Sequence, residues 1–289
     1  MIIIIGHTGF IGKSIVESLK SKKIKHKGIA TKECDLKKPQ SIHYLLKVLK
    51  KDTILIITAA INRELGDNID NMQTHIKMIA NVAKAVLLRP IKKCVYLSTT
   101  DVYGRPKKLP INEETHINPM TYYATAKYCC EKILEITCQT LGIPLLILRY
   151  NGVYGPGQVR IAYGPNFFIK GVLEENEVML WGDGKELRDS LYVKDLAKII
   201  IELGLGRTTG IYNIATGKSL TFVQMVKILK EVFGAKFKII RRKRTSSAFD
   251  QVFDISKLEK VLPKIYFTPI KLAIKQTLEF SQDSLDKKT

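Results

Sequence analysis

The chain is poor in acidic side chains: 27 Asp+Glu stand against 47 Lys+Arg in 289 residues, a formal net charge of +20, and it has a single tryptophan. It contains no stretch of about 18 uncharged apolar residues, so no membrane-spanning helix is expected. No basic segment followed by a long apolar run opens it, so the expected location is the cytoplasm. The five cysteines (Cys34, Cys94, Cys129, Cys130, Cys138) form no C-x-x-C pair, which points to reduced thiols rather than a disulfide frame or a zinc site. The five histidines (His7, His26, His43, His75, His116) lack metal-ligand spacing, so no protein-bound metal is predicted. Internal repeats and low-complexity linkers are absent as well. With 45% hydrophobic and 26% charged residues, the chain fits one large α/β domain or two interlocked lobes.

Excess positive charge favours polyanionic partners. The lysines are nevertheless spread along the whole chain, and Arg241-Arg242-Lys243-Arg244 is its longest uninterrupted basic run. No nucleic-acid-binding motif accompanies that run. The charge therefore reads as a solvated surface that draws in anionic nucleotides, and no nucleic-acid partner is expected.

Met1 to Ile5 is a short apolar strand that leads into Gly6-His-Thr-Gly9-Phe-Ile-Gly12 and a helix from about Ile11 to Ser21. In such a turn Gly6 permits the tight bend, Gly9 lets backbone N–H groups approach a pyrophosphate, and Gly12 lets the helix pack close. Strands at Lys25–Ala30, Thr53–Ile57, Cys94–Ser98 and Leu145–Arg149 alternate with helices at 39–50, 70–88 and 119–141. That alternation predicts an α/β fold with a Rossmann-type, doubly wound parallel sheet. The second half is richer in turns, at Gly155-Pro-Gly157, Gly164-Pro165 and Gly182-Asp-Gly184, and reads as a smaller C-terminal lobe. The expected division is a dinucleotide-binding domain over 1–155, with 190–216 returning to it, and a substrate-binding lobe over 156–189 and 217–289.

Tyr123-Ala-Thr-Ala-Lys127 places a phenol and an ammonium on one helical face. An unperturbed tyrosine is about 0.1% ionised at pH 7, so a phenolate at neutrality needs about 4 kcal/mol of preferential stabilisation. A nearby cation can supply it. Ser98-Thr99-Thr100, at the end of the preceding strand, can add a hydroxyl donor.

Together these motifs resemble an extended short-chain dehydrogenase/reductase of the NAD-dependent epimerase/dehydratase family, most of whose members act on nucleotide sugars. The match extends through Asp35-Leu36, Thr58-Ala59-Ala60, Ser98-Thr-Thr-Asp-Val-Tyr-Gly104, Pro119 to Lys127 with Glu131, Leu148-Arg149, Val153-Tyr-Gly-Pro-Gly157, Trp181-Gly-Asp-Gly184, Arg188-Asp189, Tyr192-Val-Lys-Asp195 and Tyr212-Asn-Ile214. The resemblance implies that Tyr123 is the acid/base, that Thr99 hydrogen-bonds the reacting sugar oxygen, and that Lys127 binds the nicotinamide ribose while lowering the tyrosine pKa. It implies cofactor contacts from Gly6, Thr8, Gly9, Phe10, Ile11, Gly12, Asp35, Leu36, Ala59, Ala60 and Ser98, and substrate contacts from Thr99, Asn151 and Arg188. Arg188 would pair with the substrate diphosphate, for which a guanidinium fork is suited. A homodimer through the helices at 70–88 and 119–141, and a place in polysaccharide biosynthesis, are further family-level expectations.

Departures narrow the reading. Thr100 precedes Asp101 where many family dehydratases carry adjacent acidic residues, which favours epimerisation over dehydration. Asn151 lies one place ahead of the usual substrate-contacting asparagine, and His75 falls where the family usually has an active-site asparagine. Ala30-Thr31-Lys32, at the end of the second strand, offers no carboxylate for the adenosine ribose, whereas Lys32 suits a 2′-phosphate. The cofactor expectation is NAD, with NADP the close alternative. The function expected is a nucleotide-sugar epimerase or related oxidoreductase; the alternatives are an NADPH-dependent keto-sugar-nucleotide reductase and a non-catalytic dinucleotide- or RNA-binding protein.

Overall fold

The computed structural model describes residues 1–159, 164–234, 237–244 and 247–286. The first half runs β1 (Ile2–Ile5), α1 (Phe10–Ser21), β2 (His26–Ile29), α2 (Ser41–Val48), β3 (Ile54–Ile57), α3 (Ile69–Leu88), β4 (Lys93–Thr99), α4 (Tyr122–Leu141) and β5 (Leu145–Tyr150). Then come β6 (Val153–Tyr154), α5 (Gly164–Glu175), β7 (Glu177–Trp181), β8 (Leu187–Arg188), β9 (Leu191–Tyr192), α6 (Val193–Leu205) and β10 (Gly210–Ile214). The chain continues with β11 (Leu220–Thr221), α7 (Phe222–Phe233), β12 (Lys238–Arg242), α8 (Ser256–Val261) and α9 (Ile270–Asp286).

Two compact units emerge. One comprises Met1–Arg105, Glu113–Tyr150 and Ala197–Ile214; the other comprises Pro106–Asn112, Asn151–Leu196 and Ala215–Thr289. In the first, six parallel strands form one sheet in the order β2-β1-β3-β4-β5-β10. All four residues of β1 are buried, as a central strand covered on both faces requires. The chain leaves β1 toward β2 on one side and builds β3, β4, β5 and β10 on the other. The strand order therefore reverses beside β1, the position where open α/β sheets bind ligands outside their carboxyl ends.

The core of this unit joins Ile3, Ile5, Leu55 and Ile57 of the sheet to Ile79 and Val82 of α3 and to Cys130 and Leu134 of α4. The helix expected from 119 starts at Tyr122, because Thr121 becomes its N-cap and accepts the Ala124 N–H at 3.0 Å. At the foot of β4, buried Lys93 donates to the Leu203 and Gly206 carbonyls at 2.8 Å each, at the C-terminal end of α6. A cation there complements the helix dipole.

The second unit carries three two-stranded pairs, β7 with β12, β8 with β11 and β6 with β9. Its core gathers Phe168 and Ile169 of α5, Val178 and Leu180 of β7, Met225 and Leu229 of α7, and Ala273 and Ile274 of α9. Residues 106–112 belong to it through Ile111, whose N–H donates to Val252 O and whose carbonyl accepts from Asp254 N–H, at 2.7 and 2.9 Å.

Candidate active site

The glycine turn joins β1 to α1 at the strand-order reversal. Gly6 has φ +90, and a Cβ there would lie 2.7 Å from the Ala59 backbone nitrogen. A Cβ on Gly12 would lie 2.2 Å from the Gly6 carbonyl oxygen, so the third glycine is needed for packing of the helix on the turn itself. Gly9 is different: its φ is −73, and a Cβ would meet only Gly6 O at 3.3 Å. No side chain caps α1, which leaves its N-terminal N–H groups facing an exposed turn at Thr8 and Gly9. Uncapped donors plus the helix dipole form an anion site, and the turn fits a dinucleotide pyrophosphate. Phe10 and Ile11 are half-buried in the first turn of α1.

The end of β2 departs from the sequence expectation. A carboxylate does stand there: Glu33 folds back and accepts the Ala30 N–H at 2.9 Å. A tight turn makes this possible, since Glu33 N–H and Cys34 N–H both donate to Ala30 O, at 3.1 and 2.9 Å. That backbone contact and the nearby His7 and Lys32 hold the Glu33 carboxyl below the usual range. Lys32 itself is exposed. Asp35 accepts the Lys37 N–H at 3.1 Å, whereas the Leu36 side chain is core and its carbonyl is held by Asn81 Nδ2 at 2.8 Å. Ala59 and Ala60 follow β3; the Ala59 N–H completes the strand by donating to Ile5 O at 3.1 Å.

At the end of β4, Ser98 is fully buried and its hydroxyl donates to Glu131 on α4. Thr99 Oγ1 accepts the Asp101 N–H at 3.2 Å, which leaves the hydroxyl proton to serve another acceptor. Tyr123 is half-buried in the first turn of α4, its N–H held by an Asp67 carboxylate oxygen at 2.9 Å. One turn on, Lys127 is 2% exposed; its ammonium donates to the Leu97 carbonyl and stands 4.5 Å from the centroid of the Tyr96 ring. Burial lowers its pKa to about 8, so it is still mainly cationic at pH 7. Across from it on α3, His75 is 1% exposed, its ring centroid 6.4 Å from that of Tyr123. Burial first, then the Lys127 charge, drop the His75 pKa to about 3, and the imidazole is neutral.

Three residues around these side chains carry no local sequence signal of a role there. Asp67 reaches Tyr123 from the turn before α3. Arg149 on β5 clamps Glu131, with Nε–Oε1 3.0 Å and Nη2–Oε2 2.7 Å. Tyr150, which follows it, is hydrogen-bonded through its phenol to Tyr123 and pairs with Thr99 in the sheet register. Each contact spans a long sequence separation, so no spacing rule points to it.

Within the second unit, Asn151 is buried and its amide donates to Asp189 O at 2.9 Å. The Arg188 guanidinium lies 4.4 Å from the Phe249 ring centroid and 5.4 Å from that of Phe222, and donates to Leu187 O and Phe249 O. The basic run is partly spent internally: Arg244 pairs with buried Glu186, and Arg241 donates to the carbonyls of Gly182 and Asp183, both at 3.3 Å. Among the described residues no helix is long and apolar enough to cross a membrane.

The sequence profile of the NAD dependent epimerase/dehydratase family matches residues 2–215. The chain belongs to that family. Its relatives in the family include a putative UDP-glucose 4-epimerase of Methanocaldococcus jannaschii, 29% identical over 226 residues that cover 74% of this chain and 73% of that protein. Among solved structures of epimerases, the UDP-N-acetylglucosamine 4-epimerase from Methanobrevibacter ruminantium, in complex with UDP-N-acetylmuramic acid, superposes with a TM-score of 0.85 at 25% identity over 98% of both chains. The Thermus thermophilus UDP-glucose 4-epimerase, in complex with NAD, shares the fold with a TM-score of 0.83 at 23% identity, over 97% of this chain and 98% of that one.

Proposed function

We propose that the protein is an NAD-dependent nucleotide-sugar epimerase in which Tyr123 is the acid/base. The observation that carries this reading is the seating of Tyr123 in the first turn of α4, with cationic Lys127 buried one turn behind it. The epimerase names of the M. jannaschii and M. ruminantium relatives support the substrate class.

In this reading the first unit binds the dinucleotide and the second binds the sugar nucleotide. The glycine turn and the α1 N-terminus hold the pyrophosphate, while Thr8 of that turn, Phe10 and Ile11 of the first turn of α1 and the loop residues Asp35, Ala59 and Ala60 flank the rest. When bound, the nicotinamide supplies reversible hydride transfer. Tyr123 Oη takes the proton from a sugar hydroxyl and later returns it, and Thr99 donates its free hydroxyl proton to the sugar oxygen. The Lys127 charge favours the phenolate. Ser98 works through Glu131, by joining β4 to α4. Arg188 and Asn151 are assigned to the substrate side, Arg188 to the diphosphate.

The Glu33 carboxylate at the end of β2 favours NAD, since it would repel a 2′-phosphate. A screen of UDP-, GDP-, CDP- and dTDP-sugars for an epimerised product without net cofactor turnover tests the assignment. Net consumption of NADPH with one of these sugars would instead establish a reductase. Tight RNA binding at physiological salt with no sugar nucleotide bound would make the protein non-catalytic.

A further inference from the structure

In the first unit the proposed chemistry uses only the carboxyl ends of the strands. In a parallel sheet every connection that returns from a helix to a strand lies at the opposite, amino ends, so the turns after α1, α2, α3, α4 and α6 share one edge. Hydrogen bonds join these turns. Lys92 N–H donates to Thr53 O at 2.8 Å, Cys94 N–H to Pro144 O at 3.0 Å, and the Lys93 ammonium to Leu203 O and Gly206 O at 2.8 Å each. The edge is therefore continuous from β3 to the end of α6.

Topology gathers on this edge lysines that are scattered along the sequence. Lys20, Lys22, Lys23 and Lys25 surround the end of α1, and all four are exposed. Exposed Lys50 and Lys51 follow α2, Arg89 and Lys92 follow α3, and Arg207 follows α6. The one acidic residue in these turns, Asp52, is held by the Met1 amino group at 3.1 Å, and among the described residues no carboxylate pairs with these cations. Complementing a helix dipole accounts for about half a unit of charge at each helix end, whereas the end of α1 alone carries four lysines. The excess is positive field directed at solvent.

Two features decide what such a surface fits. Its turns contain no Phe, Tyr or Trp on which nucleic-acid bases could stack. Exposed leucines stand beside two of its cations instead: Leu88, 69% exposed, precedes Arg89, and exposed Leu205 lies two residues before Arg207. Leucine next to a cation suits the boundary of a bilayer, where the apolar side chain enters the headgroup layer and the cation meets lipid phosphate. We propose that the amino-end edge of the sheet docks the protein on an anionic phospholipid surface. The glycine turn, at the other end of the strands, then faces away from the bilayer and stays open to dinucleotide.

The test is sedimentation of the full chain with vesicles of mixed phosphatidylglycerol and phosphatidylcholine, against vesicles of phosphatidylcholine alone. Binding is expected to the mixed vesicles only, and it should be lost as salt rises from about 0.1 M to about 1 M. Each lysine removed from a surface of this kind weakens binding about fivefold. The combined variant Lys22→Gln, Lys25→Gln, Lys51→Gln and Lys92→Gln should therefore abolish sedimentation, with dinucleotide affinity in calorimetry unchanged. Lys227→Gln, Lys238→Gln, Lys264→Gln and Lys275→Gln together remove the same charge from the second unit and should leave most of the binding intact. Equal losses in the two variants overturn the proposal, because net charge alone would then be responsible. Failure of the wild type to sediment with the mixed vesicles overturns it as well. If duplex RNA binds through the same four lysines more tightly than the vesicles do, the edge is a nucleic-acid surface and the proposal fails.

Discussion

Arg149 and Glu131 form a buried, two-pronged ion pair that ties β5 to the helix bearing Tyr123 and Lys127. The pair is the centre of a network. Ser98 donates to Glu131, Arg149 donates to the Tyr103 hydroxyl at 2.9 Å, and Tyr103 donates to Asn213 at 2.8 Å. One helix is thereby registered against β4, β5 and β10.

Removing one partner leaves a buried charge unpaired, and such losses typically cost about 3–5 kcal/mol. Glu131→Leu and Arg149→Leu are each expected to lower the urea midpoint strongly, whereas the double variant should recover part of the loss. A double-mutant cycle in urea measures this. Additive effects of the two single changes would show that the pair contributes no coupling.

Tyr123→Phe keeps the ring and removes the ionisable oxygen, so NAD affinity should hold while turnover falls by about 10² to 10⁴. Lys127→Met should reduce turnover and also raise the pH at which Tyr123 ionises. Single-turnover kinetics with a reactive sugar nucleotide separate the two. A wild-type kcat for Tyr123→Phe would rule out the mechanism.

The two outer glycines of the turn and the middle one should fail differently. Gly12→Ala drives a Cβ into the Gly6 carbonyl, so it should destabilise the fold itself. Gly9→Val puts its Cβ 3.3 Å from the Gly6 carbonyl oxygen alone, so it should lower the melting temperature much less than Gly12→Ala while abolishing dinucleotide binding in calorimetry. Retained affinity in Gly9→Val would remove the pyrophosphate from this turn.

Glu33→Gln removes the charge at the end of β2 and keeps the contact to Ala30. The expected result is a gain in NADP affinity relative to NAD, and Lys32→Asp should shift the preference the other way. Equal effects on both dinucleotides, read by calorimetry, would mean that neither residue senses the 2′ position.

His75 links stability to pH. Its imidazole is neutral when folded down to about pH 3 but takes a proton near pH 6.5 when unfolded. The unfolded state thus binds more protons across that window, and stability is full above about pH 6.5 and falls by up to about 1.4 kcal/mol per pH unit below it. Urea unfolding at pH 7 and pH 5 should show a smaller loss for His75→Asn than for the wild type. Identical pH slopes would mean that His75 titrates as it does in the unfolded chain.

Much of the architecture was legible along the chain because it rests on local rules. Four consecutive isoleucines mark a strand buried on both faces, and glycine spacing marks a turn that excludes every Cβ at Gly6 and Gly12. Tyr123 and Lys127 share a helical face by spacing alone. Only the tertiary structure decided what surrounds them. Glu33 reaches back to Ala30 through a turn that no strand pattern encodes, and Leu36 turns into the core rather than out to a ligand. The contacts of Asp67 and Tyr150 with Tyr123, and of Arg149 with Glu131, join residues that parallel pairing and helix packing bring together across long separations. Periodicity specifies which face of an element is buried; which partner waits on that face depends on sheet order and register, and these are settled by packing of the whole unit.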